Sequence, residues 1–155
     1  MLAAVLDLLL VNPNSRKVVY QSLGSGLVAV EPPIWAGLIA AFVRRRGMSV
    51  AILDAEAEAL SAEATASKVR SAGARLVAVT VYGHQPSAST QTMTGAGAVC
   101  RAIKVSAPQA KVVLLGGHVA ALPERTLLEE AADFVCDGEG PATVAALAEG
   151  LAGSG

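Results

Sequence analysis

Cysteine is scarce in this sequence. The 155 residues include two, Cys100 and Cys136, and nothing about their spacing suits a metal ion. Iron–sulfur clusters and structural zinc sites need clustered cysteines, so neither is expected within this chain. We predict that both thiols are small buried side chains of a protein in a reducing, cytoplasmic compartment.

Charged and aromatic residues are also few, at 16% and 3%, against 53% hydrophobic residues. The net charge is −1, and the longest basic run is Arg44-Arg45-Arg46. Because this triplet ends a predicted helix, it fits a solvated cap better than a nucleic-acid patch. No apolar run reaches the roughly 18 residues that span a bilayer. We therefore expect a domain with a large aliphatic core and neither a nucleic-acid nor a membrane partner.

Strand and helix patterns alternate along the chain. The predicted strands are 5–12, 49–53, 75–82, 112–115 and 134–136, and the predicted helices are 34–46, 61–72, 89–105, 124–131 and 141–151. Each parallel crossover needs a covering helix, so five such units predict an α/β fold with a doubly wound, five-stranded parallel sheet. We expect the flavodoxin-like (Rossmann-like) order 2-1-3-4-5, with one domain over 1–152 and a flexible tail at 153–155.

Glycines follow the last two predicted strands. Gly116 and Gly117 come directly after the fourth strand, and Gly138 and Gly140 flank Glu139 after the fifth. Ligands of open α/β sheets bind at the carboxyl ends of the strands, where glycine admits a ligand against bare backbone. Glycine also makes tight turns without steric cost, so the pattern alone leaves both interpretations open. Glu139 could likewise accept a hydrogen bond from a ligand or brace its own turn.

Familiar ligand motifs of this fold are missing at their expected positions. A dinucleotide fingerprint would follow the first strand directly, where Asn12-Pro-Asn-Ser15 stands, and Gly24-Ser-Gly26 comes too late. There is no Gly-Lys-Ser/Thr phosphate loop. A phospho-acceptor receiver would need an aspartate at the end of the third strand, where the sequence has Tyr82.

Three side chains with useful chemistry have ordinary structural interpretations as well. His84 and His118 follow the third and fourth strands, but no hydrolytic arrangement surrounds them. We therefore predict no catalytic residue. Trp35, the only tryptophan, lies on an amphipathic helix, which favours packing over ligand contact.

Two segments carry a resemblance to a known family. Leu114-Leu-Gly-Gly-His-Val-Ala-Ala-Leu-Pro-Glu124 and Asp133-Phe-Val-Cys-Asp-Gly-Glu-Gly-Pro-Ala-Thr143 resemble the N-terminal cobalamin-binding domain of cobalamin-dependent radical S-adenosylmethionine enzymes. The resemblance extends over about residues 6–151, and further agreement comes from Asn12-Pro13, Pro32-Pro33 and Asp54.

The resemblance implies that cobalamin, as methylcobalamin or hydroxocobalamin, binds base-off at the C-terminal edge of the sheet. Its nucleotide tail would pass Gly116 and Gly117, and its phosphate would meet backbone N–H groups near Gly138. Ser87 stands about where cobalamin domains have the serine of a Ser-x-Leu motif, although Ser89 replaces the leucine. The implied binding residues are Asn12, Pro13, Tyr82, Gly83, His84, Gln85, Ser87, Gly116, Gly117, His118, Gly138, Glu139 and Gly140.

This sequence lacks two motifs that bear on cobalt ligation and on catalysis. The Asp-x-His-x-x-Gly motif, which supplies a histidine ligand to cobalt in many cobalamin proteins, is absent after the first strand. His84 is then the candidate for a weak axial ligand. No Cys-x-x-x-Cys-x-x-Cys run is present either.

The chain therefore is not expected to be catalytic alone. The resemblance implies a cofactor module of a radical S-adenosylmethionine methyltransferase, either an excised domain or a stand-alone carrier. The iron–sulfur cluster and S-adenosylmethionine would belong to a missing catalytic domain, in cis or in trans. The alternative is a non-catalytic flavodoxin-like module that binds FMN, another nucleotide or a protein partner.

Overall fold

The computed structural model describes residues 5–15, 30–83 and 86–153. Within these ranges strands and helices alternate. The strands are β1 (Leu8–Asn12), β2 (Val50–Asp54), β3 (Leu76–Val81), β4 (Lys111–Gly116) and β5 (Phe134–Cys136). The helices are α1 (Ile34–Arg45), α2 (Ala62–Ala72), α3 (Pro86–Ser106), α4 (Gly117–Ala121), α5 (Pro123–Glu129) and α6 (Pro141–Ala152).

The five strands form one sheet in the order β2-β1-β3-β4-β5, and every neighbouring pair is parallel. This arrangement confirms the predicted doubly wound, flavodoxin-like fold. All six positions of β3 are buried, as expected of a central strand that helices cover on both faces. Because the strands are parallel, the segments that follow β1, β3, β4 and β5 meet at one edge, which we call the C-terminal edge.

Two apolar cores lie on the two faces of the sheet. On one face α2 and α3 bury Val69, Val99 and Ile103 against odd-numbered strand residues such as Leu9 and Val77. On the other face, small and branched side chains of α1 and α6 pack against Leu8, Leu10, Leu76, Ala78, Val113 and Leu115. Alternation along β1 and β3 thus divides the cores. None of the helices in the described ranges is both long enough and apolar enough to cross a membrane.

The structure differs most from the sequence-based elements around residue 117 and at the starts of α3 and β1, and β1 begins at Leu8 rather than at residue 5. Helix α4 begins at Gly117, where we predicted an open loop before a helix at residue 124. Helix α3 begins at Pro86 rather than at residue 89, because proline is well suited to the first turn of a helix. The long loop predicted over 13–33, with Gly24-Ser-Gly26, falls largely at 16–29, outside the described residues.

Asp133 joins the last part of α3 to the start of β4. Its Oδ2 accepts hydrogen bonds from Lys104 Nζ at 2.5 Å and from the Val112 backbone N–H at 2.7 Å. Partial burial by itself raises the pKa of Asp133, but these hydrogen bonds and the neighbouring ammonium groups outweigh it and leave the pKa below its ordinary value. The ionised carboxylate therefore stabilises the fold.

We expect Asp133→Asn to lower the free energy of unfolding at neutral pH by about 1–2 kcal/mol, since a charge-assisted hydrogen bond is weakened. A depressed pKa contributes stability that is lost as the pH falls through it, so the difference from wild type should shrink below about pH 4. Urea unfolding at both pH values measures this, with the exposed Asp137→Asn as the matched control. An equal difference at both pH values would contradict the assignment.

Candidate cofactor-binding site

A cavity of about 440 Å³ opens at the C-terminal edge beside the ends of β1 and β3. Asn12 and Thr80 contribute polar groups to its lining, and Ile34, Trp35 and Leu38 of α1 contribute an apolar wall. Strand order reverses between β1 and β3, and ligands of doubly wound sheets bind at such a switch point. Its volume falls within the range of small-molecule sites. The cavity is therefore placed and sized to receive a ligand or a large part of one.

Trp35 and Tyr82 form an aromatic pair in the cavity wall. Their ring centroids are 4.9 Å apart and their planes differ by 20°, which is a stacked arrangement. Trp35 is 50% exposed, so the predicted packing of this residue occurs against Tyr82 in the cavity wall and leaves half of Trp35 accessible. Pro32 and Pro33 start the helix at the C-terminal edge, which puts Trp35 in its first turn and beside the cavity.

Tyr82 also reaches the turn between β5 and α6. Its Oη donates a hydrogen bond to the backbone carbonyl of Glu139 at 3.3 Å. Burial raises the pKa of Tyr82, and the nearby Cys136 and Glu139 add to the effect. The phenol therefore keeps its proton at neutral pH and acts as a donor.

The polar floor of the cavity is fixed by hydrogen bonds at the strand ends. Asn12 Nδ2 donates to Asp54 Oδ1 at 2.9 Å, and the same oxygen accepts from the Ala57 backbone N–H at 3.1 Å. The Thr80 hydroxyl donates to the Val11 carbonyl at 3.1 Å. These contacts orient Asn12 and Thr80 before any ligand arrives.

The two glycines after β4 have different surroundings. Gly116 has a φ of +146°, and a Cβ there would overlap the backbone carbonyl of Val81. A side chain is therefore excluded by the neighbouring strand alone. A Cβ on Gly117 would lie 3.6 Å from the Ser89 hydroxyl, which is an ordinary contact. The passage of a cofactor tail beside these glycines stays a prediction.

The two glycines after β5 also differ. Gly140 has a φ of +94°, and a Cβ there would lie 2.8 Å from Leu115 Cδ1 and 3.3 Å from Tyr82 Oη. Gly138 is exposed, and a Cβ there would meet open space. A tight, packed turn thus explains Gly140, while Gly138 leaves its backbone accessible.

Ser89 is a residue of this edge that the sequence interpretation missed. Its buried hydroxyl donates to the Val81 carbonyl at 2.5 Å and accepts from the His118 backbone N–H at 2.9 Å. Ser87, the predicted binding serine, lies exposed in the first turn of α3. The signal in the sequence was the serine at the position where the Ser-x-Leu motif has leucine.

The predicted binding residues divide into separate groups. Asn12, Tyr82 and Gly83 line the cavity, and Pro13 follows Asn12 in the chain. His118, which follows β4, instead faces α3, and its Nδ1 lies 3.0 Å from Thr90 Oγ1. Gly138, Glu139 and Gly140 form the turn that Tyr82 contacts. His84 and Gln85 lie outside the described residues.

The described residues contain neither a cluster of metal ligands nor an exposed thiol. In residues 5–15, 30–83 and 86–153, no group of three His, Cys, Asp or Glu side chains could hold a metal ion. Cys100 and Cys136 are both buried. Burial raises the pKa of the Cys100 thiol to about 12, so it is unreactive at neutral pH.

Comparison with known proteins identifies the family. The model of the family described as "B12 binding domain" matches residues 23–148. No curated protein sequence matches the chain. Two structures of the radical S-adenosylmethionine methyltransferase TsrM from Kitasatospora setae have a similar fold. The TsrM structure with tryptophan substrate and the analogue aza-SAM gives a TM-score of 0.71 at 18% identity. The one with cobalamin and a [4Fe-4S] cluster gives 0.70 at 17%.

Each of these similarities covers 95% of this chain but only 26% and 24% of the TsrM chains. At such identities the likeness shows the fold alone. The family match is independent of it and includes the segments after β3, β4 and β5, where most of the predicted binding residues lie. The family predicted from sequence is therefore confirmed, and this chain belongs to the B12 binding domain family.

Proposed function

We propose that this domain binds cobalamin across its C-terminal edge, with the corrin ring at the cavity and the nucleotide tail directed to the turn between β5 and α6. The observation that carries the proposal is the position of the cavity, at the switch point of a B12-binding fold. The proposed domain spans 1–152, with 153–155 as a flexible tail. A cytoplasmic location stays an expectation from cysteine usage.

The residues at the C-terminal edge match the cofactor in polarity. Corrin is flat and largely apolar, and Trp35, Ile34 and Leu38 offer exposed apolar surface beside the cavity. Its amide side chains need polar partners, which Asn12 at the cavity floor can provide. Cobalamin is larger than the cavity volume, so the ring would extend beyond it across the edge.

The phosphate of the tail would be held by backbone rather than by lysine or arginine. Helix α6 begins at Pro141, directly after the Gly138–Gly140 turn. The N-terminus of a 12-residue helix carries unpaired N–H groups and a partial positive charge that favour an anion. Gly138 leaves its backbone accessible at this point, because it has no side chain to cover it.

Bound cobalamin would supply a cobalt atom that carries a methyl group, and the chain would supply position and surroundings. Tyr82 would act as a neutral hydrogen-bond donor rather than a phenolate ligand, because its pKa is raised. His118 is engaged with Thr90 on the α3 side. We therefore propose that cobalt has no usual histidine ligand from the described residues and that His84 is the candidate for a weak one.

The wider activity would need a second domain. TsrM chains are about four times as long as the part that this domain covers. We propose that a radical S-adenosylmethionine domain, in cis or in trans, holds the iron–sulfur cluster and the S-adenosylmethionine of a methyltransferase. This domain would then present the cofactor without catalysing the reaction alone.

Purified domain mixed with hydroxocobalamin should keep the corrin absorbance through gel filtration, because the bound cofactor moves with the protein. The measurement is the ratio of corrin to protein absorbance in the protein peak, with FMN as the parallel ligand. A colourless protein peak would refute the proposal. A peak that retains FMN instead would support the flavodoxin-like alternative.

Gly138→Leu should weaken hydroxocobalamin binding by roughly tenfold or more, since forced overpacking against a ligand costs about 1–3 kcal/mol. The fold should persist because a Cβ at Gly138 meets open space. Gly150→Leu is the matched control, since its Cβ also meets open space, on the far part of α6. Equal affinities for the two variants at equal thermal stability would show that the tail does not approach Gly138.

The electron paramagnetic resonance spectrum of the cobalt(II) cofactor tests the axial ligand. We expect no strong nitrogen superhyperfine splitting, because the proposed base-off binding would displace the cofactor's own base and leave at most a weak histidine ligand. Splitting that disappears in His84→Ala would instead identify His84 as a ligand. Splitting that persists in His84→Ala would indicate that the cofactor's base stays on cobalt or that another histidine binds it.

A further inference from the structure

Tyr82 stands between the cavity and the glycine turn after β5. Its ring lines the cavity together with Trp35. Its hydroxyl lies against the opposite side, where it donates to the Glu139 carbonyl at 3.3 Å. Among the described residues, the cavity lining includes no glycine from the segments after β4 and β5. The tyrosine ring therefore separates the two parts of the edge.

The space beneath this ring is filled by the core. Leu115 and Ile39 are 0% and 1% exposed and lie between the sheet and the helices α1 and α6. A Cβ on Gly140 would lie 2.8 Å from Leu115 Cδ1 and 3.6 Å from Ile39 Cδ1. With Tyr82 in this position, its hydroxyl and these two side chains pack closely around Gly140 and occupy the space between the cavity and the turn.

Two contacts hold Tyr82 in this position. Stacking on Trp35 ties it to the first turn of α1, and the hydrogen bond to Glu139 ties it to the turn before α6. Burial keeps the phenol protonated, so the hydrogen bond persists at neutral pH. Both contacts are individually modest, and a ligand can displace such a side chain at a limited cost in affinity.

We propose that Tyr82 is a specificity-determining residue that discriminates between corrinoids by their nucleotide tail. A corrinoid without the tail places its ring at the cavity and across the edge and needs no access to the glycine turn. A corrinoid with the tail reaches the glycine turn only after the Tyr82 side chain leaves Glu139. Its apparent affinity is then its intrinsic affinity multiplied by the fraction of the protein in that open state. This inference rests on the proposed cobalamin function.

The experiment compares hydroxocobalamin with diaquocobinamide, which has the corrin ring but lacks the nucleotide. Equilibrium dialysis with visible absorbance gives both affinities for wild type, Tyr82→Phe, Trp35→Leu and Val105→Ala. Tyr82→Phe keeps the ring and loses the hydrogen bond, whereas Trp35→Leu loses the stacking. Val105 is 86% exposed at the far end of α3 and is the control. Hydroxocobalamin has to release its base from cobalt in order to bind base-off. This cost in free energy is the same for every variant, so it cancels when the affinity ratios of the variants are compared.

We expect the ratio of hydroxocobalamin affinity to cobinamide affinity to rise roughly 2- to 10-fold in Tyr82→Phe. It should also rise in Trp35→Leu and stay at the wild-type value in Val105→Ala. If both ligands bind but the ratio in Tyr82→Phe is unchanged or lower, the role proposed for Tyr82 is wrong, while the proposed cobalamin function stands. An equal rise in Val105→Ala would overturn that role as well. If wild type binds neither corrinoid, the proposed function fails as well.

Discussion

The C-terminal edge depends on the contact between Gly116 and the carbonyl of Val81. No side chain fits at Gly116, because its Cβ would overlap that carbonyl. The same carbonyl accepts the hydrogen bond from Ser89, and Ser89 in turn accepts from the backbone of His118. One buried hydroxyl thus ties together the ends of β3 and β4 and the starts of α3 and α4. Since buried polar groups must be paired, removing the hydroxyl would leave the His118 N–H without this acceptor.

This junction fixes what comes next in the chain. Tyr82 follows Val81 directly, and residues adjacent in a strand point to opposite faces. The Val81 side chain belongs to the core under α3, while Tyr82 packs against the core under α1 and α6. The junction thereby holds the base of Tyr82 rigid, and the ring meets Trp35 and the turn at Glu139 only through a stacking contact and one hydrogen bond.

Much of the fold could be predicted from the sequence, because buried parallel strands and their covering helices have distinct periodicities. The strand order was an expectation of the flavodoxin-like fold, which the structure confirms. The site was harder, since its residues depend on contacts between distant segments. The burial of Ser89 required knowing that a short helix begins at Gly117 and turns the His118 N–H toward Ser89, whereas glycines 116–117 had suggested a loop. Trp35 was expected to pack rather than to contact a ligand, because an amphipathic pattern does not reveal that the first turn of α1 lies beside the cavity.

The α3 side and the α1 side of the C-terminal edge therefore differ in the kind of surface they present. Toward α3, hydrogen bonds among Ser89, Thr90 and His118 join adjacent elements. Toward α1, the cavity is bordered by exposed apolar side chains, with Ile34 66% and Leu38 55% exposed. Exposed apolar surface is costly unless a ligand or partner covers it. A flat, largely apolar ring can cover it, and a polar nucleotide alone cannot. The α1 side of the edge thus suits a flat, largely apolar ring, whether corrin or the isoalloxazine of FMN, while the α3 side joins the ends of β3 and β4 through hydrogen bonds.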